Sequence, residues 1–138
     1  MGLRSWLAER FPKKSLGQRG EDAATRFLKR NGYRILARGH DSRLGELDII
    51  AAENRTIVFV EVKTRSSTDA GHPAEAIDAT KQRRMTQAAL AYLKSHSLLA
   101  HAARFDVVAI TWPENVRRPT IEHFKNAFAP AGAGQFYS

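Results

Sequence analysis

The stretch from Leu44 to Arg65 constrains the fold more than any other part of this chain. It reads Leu44-Gly45-Glu46-Leu47-Asp48-Ile49-Ile50-Ala51-Ala52, a polar break at Glu53-Asn54-Arg55, then Thr56-Ile57-Val58-Phe59-Val60-Glu61-Val62-Lys63-Thr64-Arg65. Both halves are rich in β-branched and large apolar residues, and Asn54-Arg55 suits a two-residue turn, so the stretch is a β-hairpin. With that turn Glu53 pairs with Thr56, Asp48 lies opposite Glu61, and Glu46 lies opposite Lys63. A four-residue loop from Glu53 to Thr56 keeps these pairs, whereas a loop of odd length breaks them. Ile57, Val58, Phe59, Val60 and Val62 are apolar on both faces, as in a strand covered on both sides.

Two carboxylates face to face repel by roughly 0.2–1 kcal/mol when exposed, and by more when desolvated. A cation removes the cost. Oxygen ligands on adjacent strands suit a hard divalent ion, Mg²⁺ or Mn²⁺, that keeps water and phosphate as further ligands. Lys63 lies about 6.6 Å along the strand from Glu61, within reach of a phosphate or a metal-bound water. The competing reading is a solvated Glu-x-Lys ladder with no ligand at all. Charges closing a doubly buried strand favour the first, because they are costly unless paired or ligated.

The rest of the chain frames this hairpin. Its 138 residues, 43% of them hydrophobic, make one domain with room for a core. It has no cysteine, which excludes disulfides and thiolate metal sites and agrees with a cytoplasmic location. No apolar run approaches the ~20 residues that span a bilayer, and charges interrupt the first ten residues where a signal peptide needs an apolar core. The net charge of +8 calls for an anionic partner, with nucleic acid the commonest. There is no phosphate-loop motif or internal repeat, and the five histidines are scattered.

In chain order, residues 1–15 are a basic arm and residues 16–128 the domain. A helix over Gly17–Asn31, closed by Gly32, carries an apolar stripe of Gly20, Ala24, Phe27 and Leu28. Glu21 sits at the stripe's edge, either as a further acid for the hairpin site or as an ordinary first-turn glutamate. Tyr33–Arg38 is a strand, followed by a polar turn through Gly39-His40-Asp41-Ser42. Ser66–Pro73 is a loop at the mouth of the site. A second helix runs from Ala74 or Asp78 to Ser95, with Lys81 on its apolar arc, Gln82 at the border, and Arg83 and Arg84 toward solvent. Lys81 either snorkels outward or meets a bound phosphate. Arg104–Ile110 and Thr120–Phe124 are further strands, and residues 129–138 form an Ala/Gly-rich mobile tail. The order α-β-β-β-α-β-β is an α/β (mixed α+β) fold, a mixed sheet flanked by helices.

Asp48, twelve intervening residues, then Glu61-Val62-Lys63 resembles the core of the PD-(D/E)XK nuclease superfamily, whose restriction-endonuclease-like fold has this element order. Gly17 through Glu21, Gly32-Tyr33, Gly45 through Asp48, Phe59–Arg65, Gly71, Lys81, Tyr92-Leu93, Arg104-Phe105-Asp106 and Asn126-Ala127-Phe128 resemble the YraN family of bacterial proteins. In place of the proline that the superfamily carries before its aspartate, this chain has Leu47. The resemblance implies Asp48 and Glu61 as metal ligands, Lys63 as the catalytic lysine, and Glu21 as the first-helix acid of Holliday-junction resolvases. Glu46 joins as an outer or second-metal ligand, with Gln82 a lesser candidate. Arg43, Arg65, Lys81 and Arg84 are expected along the phosphate backbone. The expected function is divalent-metal-dependent hydrolysis of nucleic acid, DNA before RNA, branched or structured DNA included; a homodimer is compatible. The alternatives are a nucleic-acid-binding module that does not cut, and a domain whose basic face meets an acidic protein.

Overall fold

A computed structural model of the protein describes residues 13–67 and 77–131. The hairpin closes at the expected turn. Strands β2 (Gly45–Glu53) and β3 (Thr56–Arg65) are antiparallel, with Glu53 opposite Thr56 and Ile49 opposite Val60. Asn54 takes φ 55°, the left-handed conformation such a turn needs and asparagine tolerates. β1 (Arg34–Ser42), β4 (Ala103–Thr111) and β5 (Thr120–Phe128) complete one sheet of order β1-β2-β3-β4-β5. Among the described residues only β3 and β4 run parallel. Their connection carries a helix, as a parallel crossover usually does.

The helices take opposite faces. α1 (Leu16–Arg30) sets Ala23, Ala24 and Leu28 on Ile49, Val58, Val60, Val108 and Ile110. α2 (Ala79–Ser95) sets Met85, Ala88, Ala89 and Leu93 on Leu47, Ile50, Phe59 and Phe105. β3 is therefore apolar on both sides because each helix covers one of them. The order is α-β-β-β-α-β-β, as the sequence pattern indicates.

α1 begins earlier than its apolar stripe suggests. Ser15 is its N-cap in a capping box: Gln18 N donates to Ser15 Oγ (3.1 Å), and Ser15 N donates to Gln18 Oε1 (2.9 Å). The expected arm thus yields its last residue to the helix, and Lys14 pairs with Asp22 at 2.6 Å. At the other end Asn31 is the cap and Gly32 follows it. Gly20 lies against β3: a Cβ there would stand 2.8 Å from Thr64 Cβ and 1.9 Å from Thr64 Oγ1. This close approach seats α1 on the end of β3 and brings Glu21 to the hairpin.

Other boundaries differ from the sequence reading. β1 does not stop at Arg38; His40, Asp41 and Ser42 pair with Leu47, Glu46 and Gly45, and the turn is Arg43-Leu44. Ladder pairing overrides the turn-like composition of Gly39–Ser42. β5 runs past Phe124 to Phe128, whose ring stacks on Phe105 at 4.7 Å between centroids. α2 takes the later of its two starts, because Asp78 caps it by accepting from Lys81 N at 2.8 Å. The first residues of the tail are fastened to α2, Ala131 N donating to Thr86 Oγ1 at 3.0 Å. Residues 1–12 of the arm, 68–76 of the loop with Gly71 and the Ala74 start, and 132–138 of the tail lie outside the described residues. No helix among the described residues is long and apolar enough to cross a membrane.

Candidate functional site

The β2–β3 ladder ends at Ile49 and Val60. The frame is the expected one, but Asp48 and Glu61, and Glu46 and Lys63, are not ladder partners. Glu46 pairs with Asp41 of β1 instead, while β3 continues beside β4 with Glu61 opposite Val107 and Lys63 opposite Ala109. Into the wedge between the parting strands Asp48 turns its carboxylate, and Val62 N donates to its Oδ2 at 2.9 Å. A side chain thus replaces the missing ladder acceptor.

Glu21 from α1 and Glu46 from β2 converge on the same point. One carboxylate oxygen each from Glu21, Glu46 and Asp48 lies within 4.8 Å of the others. Oxygens ligating one Mg²⁺ or Ca²⁺ at about 2.0–2.6 Å stand up to about 4–5 Å apart, so an all-oxygen set of this size fits a hard divalent ion. Burial first, then the charge of Asp48, holds the Glu21 carboxyl above its usual range; Arg38 opposes the shift.

Glu61 stands beside this group in a different state. It is buried and ion-paired with Lys81, while Lys63 Nζ lies 4.0 Å from its Oε1. Burial and the Asp48 charge push its carboxyl up to about 7 against the pull of Lys81. Burial lowers the Lys81 ammonium, but the Glu61 carboxylate outweighs it and leaves it above the ordinary lysine value. Lys81 is therefore turned onto a buried acid instead of simply snorkelling outward. A cleft of about 430 Å³ opens over these groups, lined by Glu46, Asp48, Glu61, Asp78, Lys81 and Arg84 among others.

The remaining candidates scatter. Arg43 is exposed in the β1–β2 turn, and Arg65 is half-buried at the end of β3, where its carbonyl accepts from Trp112 N at 2.8 Å. Neither lines the cleft. Gln82 Nε2 donates to the Ile77 carbonyl at 3.0 Å and serves the helix entry. Asp78, expected only as a possible start of the second helix, also forms a wall of the cleft; an acid just before the helical periodicity marks a cap, and nothing in that pattern shows the cleft.

The raised Glu61 value gives a pH test. In the folded protein Glu61 holds its proton to about pH 7, against the ordinary glutamate value of 4.5 in the unfolded chain. Its contribution is fully present below the lower value and is lost as pH rises through the upper one. Glu61→Gln cannot ionise. In chelator, its melting temperature relative to wild type should therefore rise between pH 5 and pH 8, by at most about 3 kcal/mol of stability. Any constant cost of leaving Lys81 without its partner cancels in that difference. A difference flat across this range would remove the buried, proton-holding Glu61.

A model described as "Uncharacterised protein family UPF0102" matches residues 20–110. A UPF0102 protein of Rhodopirellula baltica is 48% identical, covering 98% of this chain and 86% of its own length. One from Geobacter metallireducens is 48% identical over 83% of this chain and 93% of its own. A third, from Geobacter sulfurreducens, is 49% identical over 83% of this chain and 89% of its own. Most of the YraN-like motifs fall within residues 20–110, the start of the Gly17–Glu21 piece and Asn126-Ala127-Phe128 lying outside them, and on this extent of similarity the chain belongs to the UPF0102 family.

Proposed function

We propose that the protein is a divalent-metal-dependent nuclease, a member of the PD-(D/E)XK group that its Asp48…Glu61-Val62-Lys63 spacing resembles, acting on DNA in preference to RNA. The observation that carries this reading is the convergence of Glu21 with Glu46 and Asp48, at the edge of a cleft that Glu46, Asp48 and Glu61 line, with Lys63 Nζ 4.0 Å from Glu61, in a basic chain. Glu21, Glu46 and Asp48 would hold the ion, with Glu61 available once Lys81 leaves it. Mg²⁺ or Mn²⁺ bound there supplies positive charge for phosphoryl oxygens and a water of lowered pKa. Lys63 offers an ammonium to the scissile phosphate or the attacking water, and Arg84 and Lys81 offer charge to the backbone on the α2 side.

The test is incubation with branched, single-stranded and duplex DNA and RNA, in Mg²⁺ or Mn²⁺ and in chelator. Metal-dependent products are expected, lost in Lys63→Ala by roughly two orders of magnitude or more. That variant should keep the metal-dependent rise in melting temperature, because Lys63 acts on substrate rather than on the ion. Undiminished cleavage in Lys63→Ala would end the role given to it. The Lys81–Glu61 pair favours a second reading, since an acid satisfied by a lysine needs no metal. In that reading the protein binds nucleic acid without cutting, and chelator-insensitive binding with no products on any substrate would establish it.

A further inference from the structure

A second concentration of charge lies away from the cleft, in a groove of about 370 Å³ between α1 and the β4–β5 connection. Arg26 and Arg30 come from the last turns of α1, and Arg117 and Arg118 from the connection; all four are exposed. Arg26 and Arg30 are four residues apart, hence on one side of the helix and about 6 Å apart along it. Trp112 fixes the connection, its Nε1 donating to the Val116 carbonyl at 2.9 Å, and Arg19 lies over the Trp112 ring at 4.1 Å.

No carboxylate lines this groove. Among the described residues none of the four arginines is in an ion pair, and Asp22, the acid nearest in sequence on α1, is taken by Lys14 and Arg38. Four like charges facing one another without a counter-charge repel, and a bound polyanion relieves them. Guanidinium groups in particular match phosphate oxygens two at a time. The groove shares no residue with the carboxylate cleft. Arg26 follows Glu21 by five residues, about 140° around the helix, so the two face different ways.

We propose that this groove binds the sugar–phosphate backbone of a nucleic acid, giving the protein a contact separate from the cleft and independent of metal. The inference holds whether or not the cleft hydrolyses anything. It implies that a strand or duplex arm lies along α1 while another segment reaches Glu46 and Asp48.

The test is fluorescence anisotropy of labelled single-stranded and duplex DNA with the full chain, in EDTA, between 50 and 200 mM salt. Arg117→Ala/Arg118→Ala and Arg26→Ala/Arg30→Ala should each weaken binding about tenfold at the middle of that range. Each should also flatten the slope of log K against log salt by about two, near 0.9 for each phosphate contact removed. The control is Arg34→Ala/Arg55→Ala, two exposed arginines near the Asn54-Arg55 turn, with an expected loss below about twofold. If melting shows the α1 pair to be unstable, the connection pair decides. Unchanged binding in the connection pair, or an equal loss in the control, overturns the proposal. So does binding of poly-glutamate that depends on the groove while DNA binding does not, which would mark a docking face for an acidic protein.

Discussion

Asp48→Asn is expected to abolish metal-dependent cleavage and the metal-dependent rise in melting temperature while leaving the metal-free protein at least as stable as wild type. Asparagine keeps an oxygen where Asp48 Oδ2 accepts from Val62 N, so the bond that closes the wedge survives. What goes is a negative charge that raises both Glu21 and Glu61. Relief of that repulsion is worth about 0.2–1 kcal/mol. Wild type should gain about 2.7 kcal/mol at a metal concentration a hundred times its dissociation constant, whereas Asp48→Asn should gain little. Asp48→Ala differs in an instructive way. It orphans the Val62 amide and should lose about 1–3 kcal/mol even without metal. Thermal melts over a metal series read all of this without knowledge of the substrate. A wild-type protein indifferent to millimolar Mg²⁺ and Mn²⁺ would overturn the metal centre.

The hairpin frame was legible in the sequence because Asn54-Arg55 leaves one turn, and the turn leaves one register. Which acids meet was not, because register is a property of a ladder and the ladder stops at Ile49. Beyond it Asp48 is placed by the Val62 amide, and Glu21 by the absence of a side chain at Gly20, both tertiary facts. Lys81 was placed correctly on the helix arc, yet its partner lies 20 residues away on another element. Periodicity along α2 cannot show that. β1 misled for a different reason: Gly39–Ser42 has the composition of a turn, and only the neighbouring strand makes it extended. The buried polar network of β4 also escaped, because Arg104 and Asp106 were read only as strand residues within a family-like motif.

That network carries the largest expected effect on stability, and it lies well away from the cleft. Asp106 is fully buried and accepts from Arg104 Nε at 2.9 Å, His123 Nε2 at 2.8 Å and Asn126 N at 2.9 Å. Arg104 also donates to Tyr33 OH and Glu53 Oε1, each at 2.9 Å. The group ties the residue just before β1 and the end of β2 to β4 and β5. Glu53 is five residues from Asp48, about 16 Å along the strand. Burial raises the Asp106 carboxyl, but its bonds from His123 and Arg104 prevail and hold it below the ordinary aspartate range. Its stabilisation is therefore present above the unfolded value and lost as pH falls through the folded one. Asp106→Ala leaves the half-buried Arg104 and His123 without their shared acceptor, and breaking such a pair costs about 3–5 kcal/mol. That is a large share of the roughly 5–15 kcal/mol a domain possesses. The melting temperature should fall by roughly 10–25 °C and lose part of its dependence on acid pH. DNA binding in chelator should be unchanged wherever the variant remains folded, since none of these groups lines the cleft or the arginine groove. A variant melting within a few degrees of wild type would show that the surrounding donors find water instead, and that the sheet does not depend on this carboxylate.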